Sequence, residues 1–278
     1  MLLSSCAEVL LDYTSPTKGE GQNSIPATVS GLVRDILENA RNPDGKILNG
    51  LEFPAWDGFI KERRAYSTDV VAWDYLRGKP YCGDFTTPYP TAHMHWGLAG
   101  TADAVTFLHN DSDGFSTFVG PVCGKKIWGI YREHPELPLS SPDVFLDDNF
   151  LLDEVLDSSK FGLEAIVLRP GDLLYGFIIL LFNLLTPFSF MRPGIPHFVY
   201  GPENTICYGG HFYVTCLMQL SLQSLVHGFV VGEFITNISH HPSQALLRRI
   251  VILYGRGLVE DCLRLTGNGQ GFYFCNRL

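Results

Sequence analysis

The sequence lacks paired cysteines and a leader-like N-terminus. Its seven cysteines are odd in number and scattered, and no two of them form a C-x-x-C pair. This pattern excludes a disulfide framework and a zinc finger, and it favours a reducing compartment. Residues 1–13 contain Glu8 and Asp12 but no basic residue, so no signal peptide is predicted. We therefore expect an intracellular protein, nuclear or cytoplasmic, that is not secreted.

The chain also lacks an excess of positive charge. Its 20 Lys and Arg residues oppose 29 Asp and Glu, which gives a formal net charge of −9. Such a chain repels phosphate backbones and anionic bilayers, so we expect neither nucleic-acid nor membrane binding. A basic polypeptide is the kind of partner that this charge attracts. With 46% hydrophobic and 18% charged residues among 278, the chain is predicted to be folded and globular.

Three regions of the chain differ in their sequence pattern. Residues 1–91 are predicted to be a helical and loop segment that packs on the rest, with helices over 29–41 and 68–76. Residues 92–214 form the predicted β core, because short runs rich in Val, Ile, Phe and Tyr are separated by Gly, Pro, Asn and Asp. This spacing is typical of an antiparallel sandwich or barrel. Residues 215–278 predict two or three further helices.

An apolar stripe at helical spacing occurs in the C-terminal region. It consists of Leu222, Leu225, Phe229 and Phe234. A stripe of this kind indicates either a core face or a contact between two copies of the chain. A homodimer through the C-terminal helices is therefore one expectation, and burial in the core is the other.

The motif that carries chemistry is His109-Asn110-Asp111, at the end of the run AVTFLHND. Because residues two apart in a strand share a face, His109 and Asp111 can direct an imidazole nitrogen and a carboxylate oxygen at one ion. His197 begins a later strand after a Pro/Gly turn and supplies a third ligand. Two histidines and one carboxylate are the ligand set of non-haem Fe(II) oxygenases, which leaves three coordination positions open.

Two further polar features accompany this motif. Thr106 lies three residues before His109, and the pair Lys125-Lys126 follows at the start of a later strand. A lysine that reaches into a barrel needs an anionic partner. A dicarboxylate co-substrate would supply one through a charge-assisted hydrogen bond.

Most of residues 29–255 resembles the JmjC (Jumonji-C) domain of 2-oxoglutarate/Fe(II) dioxygenases, in the form common in fungal proteins. The segments that carry the resemblance are TFLHNDSDGFSTFVGPVCGKKIWGIYR, VLRPGDLL and MRPGIPHFVYGPENTICYGGHFY. It implies a mainly β fold with helical flanks, a double-stranded β-helix of the jelly-roll or cupin-like kind. Residues 92–214 would be the JmjC barrel core.

The resemblance also implies residue roles. His109, Asp111 and His197 match the iron ligands, and therefore the catalytic residues, of the family. Thr106 and Lys125 match the residues that hold the distal carboxylate of 2-oxoglutarate. Of the two adjacent lysines, Lys125 is chosen because the family lysine follows a glycine and precedes the aromatic residue by three.

The implied activity is oxidation of a C–H bond in a protein substrate with Fe(II), 2-oxoglutarate and O₂. If the carbon belongs to an N-methyl-lysine, hydroxylation releases formaldehyde, so histone lysine demethylase and protein hydroxylase are both open. The negative charge suits a basic histone tail as the substrate. The alternative is a non-catalytic JmjC-like binding or scaffold module that retains the ligands without turnover.

The remaining histidines receive structural interpretations. His93 and His95 form a second H-x-H pair on a predicted strand, but no carboxylate lies near them in the same register. His211 is interpreted as a structural residue within a strand. His240 and His241 precede a proline and have no partner that the sequence identifies.

One apolar stretch, residues 176–190, has no counterpart in the family pattern, which joins RPGDLLY directly to MRPGIPH. Its fifteen residues, GFIILLFNLLTPFSF, contain no charge. Our hypothesis is an insert that arose from a retained in-frame intron or a gene-model error. In the scaffold alternative, this insert is the reason why the protein lacks catalytic activity. A buried loop, a membrane-touching hairpin and a membrane span are the other interpretations. The span is the least favoured, because it would separate two strands that must be neighbours.

Overall fold

The computed structural model describes residues 6–11, 27–54, 68–79, 89–133, 158–159, 161–175, 191–231, 240 and 242–264. The chain divides into two compact units, one of residues 1–59 and 91–240 and the other of residues 60–90 and 241–278. The apolar stretch 176–190, interpreted above as an insert, lies outside the described residues. Among the described residues, no helix is long and apolar enough to cross a membrane.

The first unit contains a seven-stranded antiparallel sheet. Its strands are Cys6–Leu11 (β1), Ala27–Leu32 (β2), Leu48–Pro54 (β3), His95–Gly100 (β4), Ser116–Cys123 (β6), Leu174–Tyr175 (β9) and Thr205–Phe212 (β11). Their order is β2-β1-β3-β4-β11-β6-β9. The strands β6 and β11 are rich in β-branched and aromatic residues, which pack well on a pleated surface.

A second sheet in the same unit has four antiparallel strands. They are Ala104–His109 (β5), Lys126–Glu133 (β7), Phe161–Leu168 (β8) and His197–Gly201 (β10). Their order is β5-β10-β7-β8. Strands β5 and β10 are distant in the chain but neighbours in this sheet, and this pairing positions the candidate site.

One apolar cluster contains residues from both sheets and forms the core of the unit. Its members come from β4, β6 to β11 and the segment before β10, and they are Trp96, Val119, Trp128, Ile130, Leu168, Leu174, Met191, Val199 and Cys207. Strand β7 contributes alternate residues to this cluster, because successive side chains of a strand point to opposite faces. Lys126, Trp128 and Ile130 therefore share its inward face.

The described part of residues 1–91 contains strands as well as the predicted helices. The helix predicted over 29–41 is shorter, Val33–Ala40 (α1), because residues up to Leu32 belong to β2 and pair with β1. The Asp35 carboxylate accepts the Leu32 N–H at 2.8 Å, which satisfies a free donor at the start of the helix. Sequence periodicity alone did not reveal that this segment extends the sheet.

The second unit contains the helices Thr68–Leu76 (α2) and Ser243–Arg264 (α5). Helix α2 has the bounds that the sequence predicted. The Arg249 guanidinium lies 3.7 Å from the ring centre of Trp73, a cation–π contact between the two helices. Leu76 and Leu246 are completely buried, so these helices pack through their apolar faces.

The other helices belong to the first unit, Thr91–Met94 (α3) and Met218–Val231 (α4). On α4, Leu222 is 61% exposed and Phe229 is 91% exposed, so neither belongs to a core face. The contact between two copies of the chain stays a prediction for this stripe. Phe234 lies outside the described residues.

Candidate metal centre

His109, Asp111 and His197 come together at one end of the four-stranded sheet. His109 ends β5 and His197 begins β10, and the two residues face each other as a cross-strand pair. Their ring centres lie 4.1 Å apart, and His197 Nε2 lies 4.0 Å from Asp111 Oδ1. One ligand atom from each of the three residues lies within 4.8 Å of the others, so the cluster could hold a metal ion.

Both histidines are oriented by the backbone in the same way. His109 Nδ1 lies 2.6 Å from the Phe107 carbonyl oxygen, and His197 Nδ1 lies 2.9 Å from the Ile195 carbonyl oxygen. Because a carbonyl oxygen only accepts, each Nδ1 must carry the proton and donate it. In the neutral form, this tautomer leaves the Nε2 lone pair of each ring free for a metal, an arrangement common among metal-binding histidines.

The ring of Trp128 stacks against one face of the His197 imidazole. Its rings lie 5.2 Å from the imidazole centre and only 16° from parallel. Burial, together with the nearby His109, lowers the pKa of His197 to about 4, although Asp111 and the hydrogen bond to the Ile195 carbonyl act to raise it. His197 is therefore neutral at neutral pH, which is the form that binds metals.

Asp111 is ionised despite its position inside the protein. Burial acts to raise its pKa, but His197, His211 and His109 and the hydrogen bond from Thr117 lower it more, and the net pKa lies below the ordinary value. An ionised carboxylate beside two histidine side chains is a ligand set that suits Fe(II).

The turn after Asp111 is held in a conformation that favours glycine. Asp113 and Gly114 have φ values of 57° and 64°, and a Cβ on Gly114 would lie 2.3 Å from the Ser221 carbonyl oxygen of α4. Helix α4 also approaches the turn before His197, because Ser224 lies 3.3 Å from the position of a Cβ on Gly194. One helix therefore supports both turns that carry candidate metal ligands, and nothing in the sequence pattern indicated this.

The two lysines after Gly124 have different surroundings. Lys125 is exposed, and its Nζ lies 3.2 Å from Glu203 Oε1. Lys126 is only 4% exposed, and burial lowers its pKa while the nearby Cys207 thiol opposes this. Among the described residues, no carboxylate forms an ion pair with Lys126.

This placement differs from the role that the resemblance implies for Lys125. In KIWGI, the apolar residues Trp128 and Ile130 face inward, and Lys126 shares their position in the two-residue alternation of the strand. That alternation was visible in the sequence and selects Lys126 as the inward lysine. The glycine spacing of the family pattern led to Lys125 instead.

Thr106 lies on the half-buried face of β5. Its Oγ1 accepts a hydrogen bond of 3.1 Å from Asn49 Nδ2, and its cross-strand neighbour Val199 pairs in turn with Trp128. Thr106 on β5, Val199 on β10 and Trp128 on β7 therefore lie in one row across the sheet, with β10 in the middle. The Nε1 of Trp128 is buried without a hydrogen-bond acceptor among the described residues.

Among the described histidines outside this cluster, none joins a second group that could hold a metal ion. His93 is exposed in α3 and His95 is the buried first residue of β4, so they do not share a strand. His211 is buried beside the centre, and its Nδ1 lies 2.9 Å from Thr117 Oγ1. The ring centre of His240 lies 4.6 Å from that of His211, a contact that the sequence did not reveal. His241 lies outside the described residues.

The fold and the cluster define a mainly antiparallel β protein with a candidate metal centre. No protein-family model matches the chain, and no curated protein matches it. A tryptophan-to-tyrosine variant of oxalate decarboxylase from Bacillus subtilis is similar over 44% of this chain and 21% of its own, with 11% identity and a TM-score of 0.26. Peruvianin-I, a cysteine peptidase from Thevetia peruviana latex, is similar over 43% of this chain and 49% of its own, with 16% identity and a TM-score of 0.26.

The chain thus spans about a fifth of the decarboxylase and about half of the peptidase. At TM-scores this low, the similarity carries no argument about fold or activity. The functional conclusion has to come from the residues of the site.

Proposed function

We propose that this protein is an Fe(II)- and 2-oxoglutarate-dependent dioxygenase that acts on a protein substrate. One observation carries the proposal. The centre of His109, Asp111 and His197 lies on a sheet whose inward face also bears Lys126, a buried cation with no carboxylate partner in the described part of the chain. A metal ligand set and a buried cation that belong to the same sheet suit a metal-chelating anion as co-substrate.

The strand order supports a double-stranded β-helix. From β4 to β11, strands β4, β6, β9 and β11 lie in the large sheet, and β5, β7, β8 and β10 lie in the small one. Successive strands therefore alternate between the sheets except at β7 and β8, as in jelly-roll folds. In such a fold the ligands at the ends of β5 and β10 lie at the mouth of the barrel.

Lys126 fits the distal carboxylate of 2-oxoglutarate. A buried ammonium is costly unless a charge or hydrogen-bond acceptor compensates it. Trp128 Nε1 is a second buried donor without an acceptor among the described residues, two positions along the same face of β7. We therefore assign this role to Lys126, with Thr106 across β10, and not to the exposed Lys125.

Iron and 2-oxoglutarate, when bound, supply the oxidation of a substrate C–H bond by O₂, coupled to decarboxylation of the keto acid to succinate and CO₂. The chain supplies orientation and protection from water. His109 and His197 present Nε2, Asp111 presents Oδ1, and Trp128 covers one face of His197. Lys126 orients the co-substrate by charge.

The substrate that we propose is a basic polypeptide, such as a histone tail. The net charge of −9 attracts such a chain without selecting a side chain. Lysine demethylation and side-chain hydroxylation use the same site and differ only in the stability of the hydroxylated product. We propose one of these two activities for the protein.

The test uses purified wild type and His109→Ala with Fe(II), 2-oxoglutarate and a panel of basic peptides, with and without N-methyl-lysine. We expect succinate from wild type only, together with formaldehyde from a methylated peptide or a product one oxygen atom heavier. If folded, metal-loaded wild type forms no succinate with any peptide or alone, the enzyme proposal is overturned in favour of the scaffold module.

A further inference from the structure

The Thr117 hydroxyl lies between the metal ligand Asp111 and a buried histidine. Thr117 Oγ1 contacts Asp111 Oδ2 and lies 2.9 Å from His211 Nδ1. Thr117 is 3% exposed and His211 is 7% exposed, so water does not replace either contact. The other carboxylate oxygen, Oδ1, is the one that faces His197.

The chemistry of the three groups fixes the direction of both hydrogen bonds. A carboxylate only accepts, so the single hydroxyl proton of Thr117 is donated to Asp111 Oδ2. The hydroxyl oxygen then accepts from His211, whose Nδ1 must carry a proton. The chain of donors runs from His211 through Thr117 to Asp111, and each member orients the next.

Packing holds the outer end of this chain in place. His211 and Thr117 are a cross-strand pair of β11 and β6, so the sheet sets their separation. The His211 ring stacks on Phe115, with ring centres 5.5 Å apart and 26° from parallel. Trp96 lies 5.6 Å from it on another side. The imidazole is therefore held by packing against neighbouring rings.

We propose that Thr117, oriented by His211, is a positioning residue that holds Asp111 as a ligand through one oxygen only. The inference rests on the proposed metal site and adds a residue pair to it. A carboxylate with two unengaged oxygens can bind a metal through both, whereas the hydrogen bond to Thr117 occupies Oδ2. One-oxygen binding keeps three of six positions open, enough for a chelating keto acid and O₂.

The test measures Co(II) binding to the full chain, with Co(II) as the probe in place of iron. Thr117→Val removes the hydroxyl at nearly constant shape, and Thr117→Ser is the matched control that keeps it. We expect wild type and Thr117→Ser to share one Co(II) absorption spectrum and affinity. Thr117→Val should bind Co(II) about 10-fold or more weakly, with a changed spectrum that reports altered coordination.

A second pair of variants keeps the test decisive if Thr117→Val does not fold. His211→Phe removes the donor and His211→Asn keeps an N–H near the position of Nδ1. We expect weaker Co(II) binding and a changed spectrum in His211→Phe, and restoration of both in His211→Asn.

The two possible failures differ. If wild type binds Co(II) and the variants without the hydroxyl or its donor match it in affinity and spectrum, the positioning role is overturned and the dioxygenase proposal stands. If wild type does not bind Co(II) at all, the metal site itself is overturned, and this inference with it.

Discussion

Leu174, Tyr175 and Met191 occupy successive positions along β6. Val119 pairs with Leu174, Phe118 with Tyr175 and Thr117 with Met191. Met191 exchanges both backbone hydrogen bonds with Thr117, at 3.1 and 3.2 Å. Leu174 and Met191 are buried in the same cluster, as residues two apart in one strand should be. Tyr175 and Met191 therefore lie where a single peptide bond could join them.

Deletion of residues 176–190 should preserve the fold and stabilise it. Holding together the two ends of a fifteen-residue segment costs about 2 kcal/mol of chain entropy, on the scale of (3/2)RT ln n. The deletion removes that cost, so we expect Tm to rise by roughly 5 °C for a protein of this size. Co(II) affinity should be unchanged, because Thr117 keeps its pairing with Met191.

Thermal unfolding by circular dichroism and Co(II) titration measure these effects. The control replaces residues 176–190 with a Gly/Ser linker of equal length, which keeps the loop-closure cost and should leave Tm near that of wild type. The interpretation that Tyr175 and Met191 are neighbours along one strand would be refuted by either of two results. The deletion protein could have a lower Tm than the linker protein, or it could lose Co(II) binding while the linker protein retains it.

Three further outcomes are expected. Lys126→Met should raise Tm without co-substrate, because it removes a buried cation, and should abolish the Tm increase that 2-oxoglutarate gives the Co(II)-loaded protein. Lys125→Met is the surface control. If Lys125→Met lost the Tm increase with 2-oxoglutarate to the same extent, the assignment of Lys126 as the lysine that binds 2-oxoglutarate would be excluded. The free energy of unfolding should fall as pH drops from about 6.5 to about 4, since burial lowers the pKa of His197 and of His211 to about 4 and the unfolded chain binds these protons first. His211→Asn should reduce the slope of the unfolding free energy against pH by about 1.4 kcal/mol per pH unit. Urea titrations at several pH values measure this slope, and an unchanged slope would contradict the lowered pKa of His211. Gly114→Ala should destabilise by about 2 kcal/mol or more and weaken Co(II) binding, because the new Cβ meets the Ser221 carbonyl. Gly78 has a φ of 74° and open space around it, so Gly78→Ala is the control. It should lose only the stability that the backbone strain of a positive φ costs, and it should leave Co(II) affinity unchanged.

The local elements followed from patterns within short stretches of sequence. The strand around TFLHND, the helix over 68–76 and the ligand types at His109 and Asp111 depend on neighbours in the chain, so residue alternation and capping reveal them. The same alternation is present in KIWGI and agrees with the buried position of Lys126, but the sequence analysis chose Lys125 from the family spacing. The strands β1, β2 and β3 were not predicted, because pairing with partner strands, and not a pattern in their own sequence, makes these segments strands.

The sequence by itself determined which residue types could bind a metal and how they alternate along strands. Only the tertiary structure decided that β10 lies beside β5, which brings His197 to His109, and that β11 lies beside β6, which brings His211 to Thr117. Such pairings join residues far apart in the chain, and their free energy depends on the whole sheet and its core. For that reason the candidate ligands could be proposed from the sequence, whereas the residues that hold them in place could not.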